Sequence, residues 1–104
     1  MLKIIIESEK TFAVEACSEI EAYTRGRSEI LKELKKLPFS ARATEVVFKN
    51  NNVVDEKYSK ITLKSIIELL VPSKDKLISN KEIENIRREY FPTGTIKNFR
   101  RSLS

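Results

Sequence analysis

The most constraining feature of this 104-residue chain is a tightly punctuated segment near its C-terminal end. Ser79-Asn80-Lys81-Glu82 has the form of a capping box: the Ser79 side chain can accept the Glu82 backbone N–H, and the Glu82 side chain can reach back to the Ser79 N–H. Ile78 and Ile83 flank the cap as a hydrophobic staple would. A helix starting here buries Ile83, Ile86 and Tyr90, and it must stop near Phe91 because the residue before Pro92 avoids the α region. Pro92-Thr93-Gly94 then supplies a rigid turn with one permissive backbone position. Thr95 can cap a last helix in which Ile96, Phe99 and Leu103 share one face, Lys97, Asn98, Arg101 and Ser102 share the other, and Arg100 flanks it.

The rest of the chain reads as a small sheet with helices. Leu2 to Glu7, with three successive isoleucines, suits a buried strand. Ser8 can cap a helix on which Phe12, Ala16, Cys17, Ile20 and Tyr23 recur at helical spacing. Gly26 interrupts that stripe, Ser28 can recap it, and Ile30, Leu31 and Leu34 resume it up to Leu37-Pro38, so residues 9–36 hold two helices or one bent helix. Residues 44–49 alternate as a strand, Asn50-Asn51-Asn52 suits a turn, and Val53 to about Ser59 completes a hairpin. Leu63, Ile66, Ile67, Leu70 and Val71 follow the rule of an amphipathic helix that Pro72 stops.

The expected fold is therefore α+β: an N-terminal strand and a β-hairpin packed with helices, ending in three helices. One domain is expected, since a chain of this length has room for one core, and residue 60 is where a subdomain seam could fall. No apolar run approaches the ~20 residues of a membrane span, and the N-terminus lacks the parts of a secretion signal. Cys17 is the single cysteine and cannot form an internal disulfide, so a cytoplasmic setting is expected, with Cys17 as a small buried hydrophobe in a helix.

Charge gives the partner class. The net charge is +5, and residues 1–60 carry 11 Lys and Arg against 10 Asp and Glu, whereas residues 61–104 carry 9 against 5. Three short-linked helices, the last one basic, resemble the helix-turn-helix superfamily over roughly the last 40 residues. That resemblance implies a DNA-binding protein of transcription regulation, with DNA ahead of RNA as target, and a homodimer is compatible with the sequence. The implied contacts are Thr93, Thr95, Lys97, Asn98, Arg100, Arg101 and Ser102, the cations on phosphates or guanine and Asn98 on adenine. Capped helices with basic outer faces also occur in proteins that never touch nucleic acid.

Catalysis finds little support. The chain has no histidine, which removes the commonest general base and metal ligand together. Gly26 and Gly94 stand alone, so neither a P-loop nor a dinucleotide fingerprint can be built, and no cofactor is expected. Asp55-Glu56-Lys57, with Glu45 upstream, resembles the (D/E)xK element of Mg²⁺-dependent PD-(D/E)xK nucleases, although the group's upstream Asp is missing. Phe48, Tyr58, Lys49 and Lys57 offer a weaker single-strand surface, with Phe48 better suited to the core. The remaining class is a protein-binding module, an inhibitor or adaptor, for which an exposed apolar patch would be the signature.

Overall fold

The computed structural model describes residues 1–72 and 79–101, the last by its backbone. Its elements run β1 (Leu2–Glu15), α1 (Glu19–Lys35), β2 (Ser40–Asp55), β3 (Tyr58–Val71), α2 (Asn80–Tyr90) and β4 (Thr95–Arg101). One four-stranded sheet has the order β2-β3-β1-β4, with every neighbouring pair antiparallel. This β-α-β-β-α-β order, with β1 and β2 separated by β3, is the split β-α-β, ferredoxin-like arrangement. No described helix is long and apolar enough to cross a membrane.

The expected C-terminal three-helix segment is absent: the sheet takes two of the three expected helices as strands. Residues 58–71 form β3, which pairs with β1 along its whole length, from Leu2 opposite Val71 to Glu15 opposite Tyr58. Ile61, Leu63, Ile67 and Leu69 point to the helix side and are fully or nearly fully buried. Residues 95–101 form β4, antiparallel to β1. A bulge explains their helix-like spacing: the register shifts between Ile5 and Ile6, so Ile96 opposes Ile6 while Phe99 opposes Ile4. Two residues three apart thus share a face in a strand.

The N-terminal half is corrected in the same direction. β1 continues to Glu15, so Ser8 and Phe12 are strand residues and the helix begins at Glu19. Ser18 caps it, its Oγ accepting the Glu21 N–H at 3.2 Å, while the Glu21 carboxylate accepts the Cys17 N–H at 3.2 Å. Cys17 is exposed, ahead of the helix, rather than buried within one. α1 is one helix through Gly26 and Ser28, so the second helix and its Ser28 cap do not occur. Asn50-Asn51-Asn52 lies inside β2, and the chain reverses at Glu56-Lys57.

Both helices cover one face of the sheet. α1 buries Ala22, Gly26, Ile30 and Leu34 against the strands, and the Tyr23 hydroxyl donates to the Val46 carbonyl at 2.9 Å, tying α1 to the edge strand. α2 starts as the capping box requires, with Ser79 Oγ accepting the Glu82 N–H at 3.2 Å, and buries Ile83. The staple contact through Ile78, the polar loop 73–76, and Ser102 and Leu103 lie outside the described residues. Strands of 14–16 residues at ~3.3 Å each make a body about 53 Å long and 21 Å wide. β2, the long exposed edge, is interrupted by three register shifts, a device that discourages strand addition.

Candidate interaction surface

The residues singled out for nucleic-acid contact sit on β4 and on the turn before it rather than on a helix. Thr93 lies in the turn and Thr95 opens β4 opposite Glu7. Lys97 is ion-paired to Glu7 at 2.7 Å. Asn98 Oδ1 accepts the Phe99 N–H at 2.8 Å, and Arg100 is exposed opposite Lys3. Arg101 pairs through its backbone with Leu2. These side chains have no helix on which to enter a groove together, so the geometry that a helix-turn-helix needs is absent.

Much of the C-terminal positive charge is engaged within the fold. Arg87 pairs with Glu84, and its Nη1 donates to the carbonyls of Phe91, Pro92 and Gly94 at 3.3, 3.3 and 3.0 Å. On the open face of the sheet, Glu7 lies between Lys64 at 2.6 Å and Lys97 at 2.7 Å. The Lys64 hydrogen bond, followed by that of Lys97, holds the Glu7 carboxyl below its ordinary value of 4.5, and Glu7 in turn raises Lys64. Glu68 likewise lies between Arg42 at 3.1 Å and Lys3 at 3.7 Å. The middle of this face is a lattice of paired charges, and the central positions Ile5, Glu7, Lys64 and Ile66 hold no aromatic ring for base stacking.

The other candidates are dispersed. Asp55 ends β2 and Glu56-Lys57 is the exposed turn, whereas Glu45 lies ten residues back along the same strand, roughly 30 Å away at ~3.3 Å per residue. Those carboxylates do not converge. Among the described residues no three His, Cys, Asp or Glu side chains gather as a metal site. Phe48 is packed against the core from β2, while Lys49, Lys57 and Tyr58 are exposed.

What the fold does bring together is an apolar end. β1 finishes, α1 begins and the β2–β3 hairpin turns at the same end of the sheet, where the Ala16 N–H donates to the Lys57 carbonyl at 2.8 Å. There Ile20 is 80% exposed, Val53 73%, Val54 69% and Tyr58 49%. Around them stand Glu15, Glu19, Glu21, Asp55 and Glu56, against Lys57 and Lys60. Arg25 takes up Glu21 at 3.1 Å, leaving four carboxylates to two lysines. This end is acidic on a chain whose net charge is +5.

Sequence reasoning missed these residues because it made Asn50-Asn51-Asn52 the hairpin turn, which put Val53 and Val54 at the start of the second strand instead of near the end of β2. The available signal was the Val-Val step itself: consecutive residues of a strand face opposite ways, so both cannot be buried at an edge. No family model, curated protein or solved structure matches the chain.

Proposed function

We propose that the chain is a non-catalytic protein-binding module that docks through the end formed by the β2–β3 turn and the start of α1. The observation that carries this reading is that Ile20, Val53, Val54 and Tyr58 are all exposed at one end of the sheet, amid charged residues. Exposed apolar side chains of this kind gain free energy when a partner covers them. A tyrosine among aliphatic residues is also the composition of an interface centre. Docking needs neither cofactor nor metal, and the single exposed cysteine supports a reducing, cytoplasmic setting.

Nucleic-acid binding is the competing outcome, and the exposed Arg100, opposite the Glu68-paired Lys3, is a cation on the β1–β4 edge that would serve it. The test places a photo-crosslinking amino acid at Val54 in one variant and at Arg88 of α2 in another. Protein adducts at Val54, absent at Arg88 and lost on adding Tyr58→Ser, are the expected result. Equal adducts at both positions, or adducts to nucleic acid alone, overturn the reading.

A further inference from the structure

We infer that copies of this chain associate head to tail, the acidic apolar end of one seating on the basic end of the next. This rests on the reading of the acidic end as a docking surface and names its partner. The two ends of the sheet are opposite in charge.

At the end away from the hairpin turn, Lys3, Ile5, Glu68, Asn98, Phe99 and Arg100 line a hollow of about 230 Å³. That is below the ~300–1,000 Å³ of sites that enclose drug-sized ligands, and its scale is that of a side chain. Ile5 gives it apolar surface, and Phe99, between Asn98 and Arg100 on β4, completes its wall. Lys3 and Arg100, opposite one another on β1 and β4, give it positive charge. Its one carboxylate, Glu68, is already engaged by Lys3 and Arg42. The opposite end carries the exposed Tyr58, first residue of β3, opposite Asp55 and next to the Glu56-Lys57 turn, an aromatic side chain amid net negative charge.

A heterologous contact of this kind uses two different patches. Each copy that docks leaves one of each patch open, so the product is a ring or a filament rather than a closed twofold dimer. Because both rims are exposed and charged, salt weakens the attraction as the Debye length falls from ~10 Å at 0.1 M to ~3 Å at 1 M.

Sedimentation of the purified full chain tests the proposal. The parent is expected to form concentration-dependent oligomers at about 0.05 M salt and to sediment as a monomer at about 1 M. Asp55→Lys with Glu56→Lys makes the acidic tip basic, and Asn98→Asp with Arg100→Glu reverses the rim of the hollow without touching the Lys3–Glu68 pair. Each variant alone is expected to stay monomeric. Their equal mixture is expected to re-associate, because the intact tip of the second fits the intact hollow of the first. Tyr58→Ser, which changes no charge, is expected to weaken association at least tenfold.

A parent that is monomeric at every concentration in low salt, a reversed variant that associates as the parent does, or a mixture that stays monomeric overturns head-to-tail association. If a monomeric parent still gives Val54-dependent adducts with other proteins, self-association falls and the docking reading stands. If it gives neither, both fall.

Discussion

Gly26 of α1 lies so close to Leu63 of β3 that a Cβ on the glycine would stand 2.8 Å from Leu63 Cδ1 and 3.4 Å from Ile61 Cγ2. The missing side chain lets the helix rest on the central strands. Two effects oppose each other in Gly26→Ala. Alanine improves the helix by ~1 kcal/mol, while overpacking a closed core costs roughly 1–3 kcal/mol. Leu63 is fully buried and has little room to yield, so a net loss of about 1 kcal/mol is expected. Denaturant midpoints check this. Leu63→Val should relieve part of the strain, so the double variant should be more stable than the sum of the single losses requires.

Glu7 sets the acid limit of the C-terminal strand. Its carboxyl titrates below the ordinary 4.5 because Lys64 and Lys97 bond its charged form. A depressed folded-state value contributes stability that is present above the unfolded value and is lost as pH falls through the folded one. The contribution of Glu7 should therefore be intact at neutral pH and disappear on acidification below about pH 4.5. β4 amides should then exchange faster, because Lys97 loses its partner. Glu7→Gln should show weaker β4 protection at neutral pH and a smaller further loss in acid. Equal acid sensitivity of parent and variant would assign the effect elsewhere, with Glu21 and Glu84 as the other lowered carboxyls among the described residues.

Local punctuation was legible in the sequence, as were the strands at 2–7 and 44–49 and the helix ending before Pro38, whereas residues 8–15, 61–71 and 95–101 were not legible as strands. The Ser79 cap and the Pro92–Gly94 turn stand where their residues place them, because capping and turn chemistry involve only a few neighbours. The same S-x-x-E pattern at Ser18–Glu21 marked the true start of α1, while Ser8, which lacks a glutamate three residues on, did not start a helix.

The central strands were misread because their alternation breaks at the same level. Ser8 opposes Ser65 on the buried face, with the Ser65 Oγ donating to the Ser8 carbonyl at 3.4 Å, while Ile5, Ile66 and Leu70 stand on the open face. Each strand alone looks irregular or helical, and each polar residue is explained only by its partner on the other strand. The bulge near Lys97 disguised β4 in a similar way. The acidic apolar end was hidden by the same error, since it exists only once the turn is placed at Glu56-Lys57.

Ser79→Ala gives a direct check on the one element that sequence and structure place alike. The side-chain bond to the Glu82 N–H is exposed, and losing such a cap costs ~1 kcal/mol. The denaturation midpoint should fall accordingly, and Ser79→Asp should restore it. A midpoint equal to the parent's for the alanine variant would mean that water satisfies the helix start as well as serine does.

Arg87 joins α2 to β4 through its planar guanidinium. One edge meets Glu84, with Nε to Oε1 at 2.8 Å, and Nη1 reaches three carbonyls of the turn that launches the strand. Its side chain is 16% exposed, so these charge-assisted bonds are partly shielded, and removing them should cost roughly 1.5–3 kcal/mol. Lysine keeps the charge and loses the fork, so Arg87→Lys should recover less than half of what Arg87→Ala loses. The discriminating measurement is amide exchange by residue. β4 and the Pro92–Gly94 turn should lose protection in both variants, while the β2–β3 ladder keeps its own until global unfolding. That pattern would identify β4 as the least stable strand of the sheet, held by the Arg87 fork and the Glu7–Lys97 pair. A uniform loss of protection across all four strands would instead mean that β4 and the β2–β3 hairpin unfold as one unit.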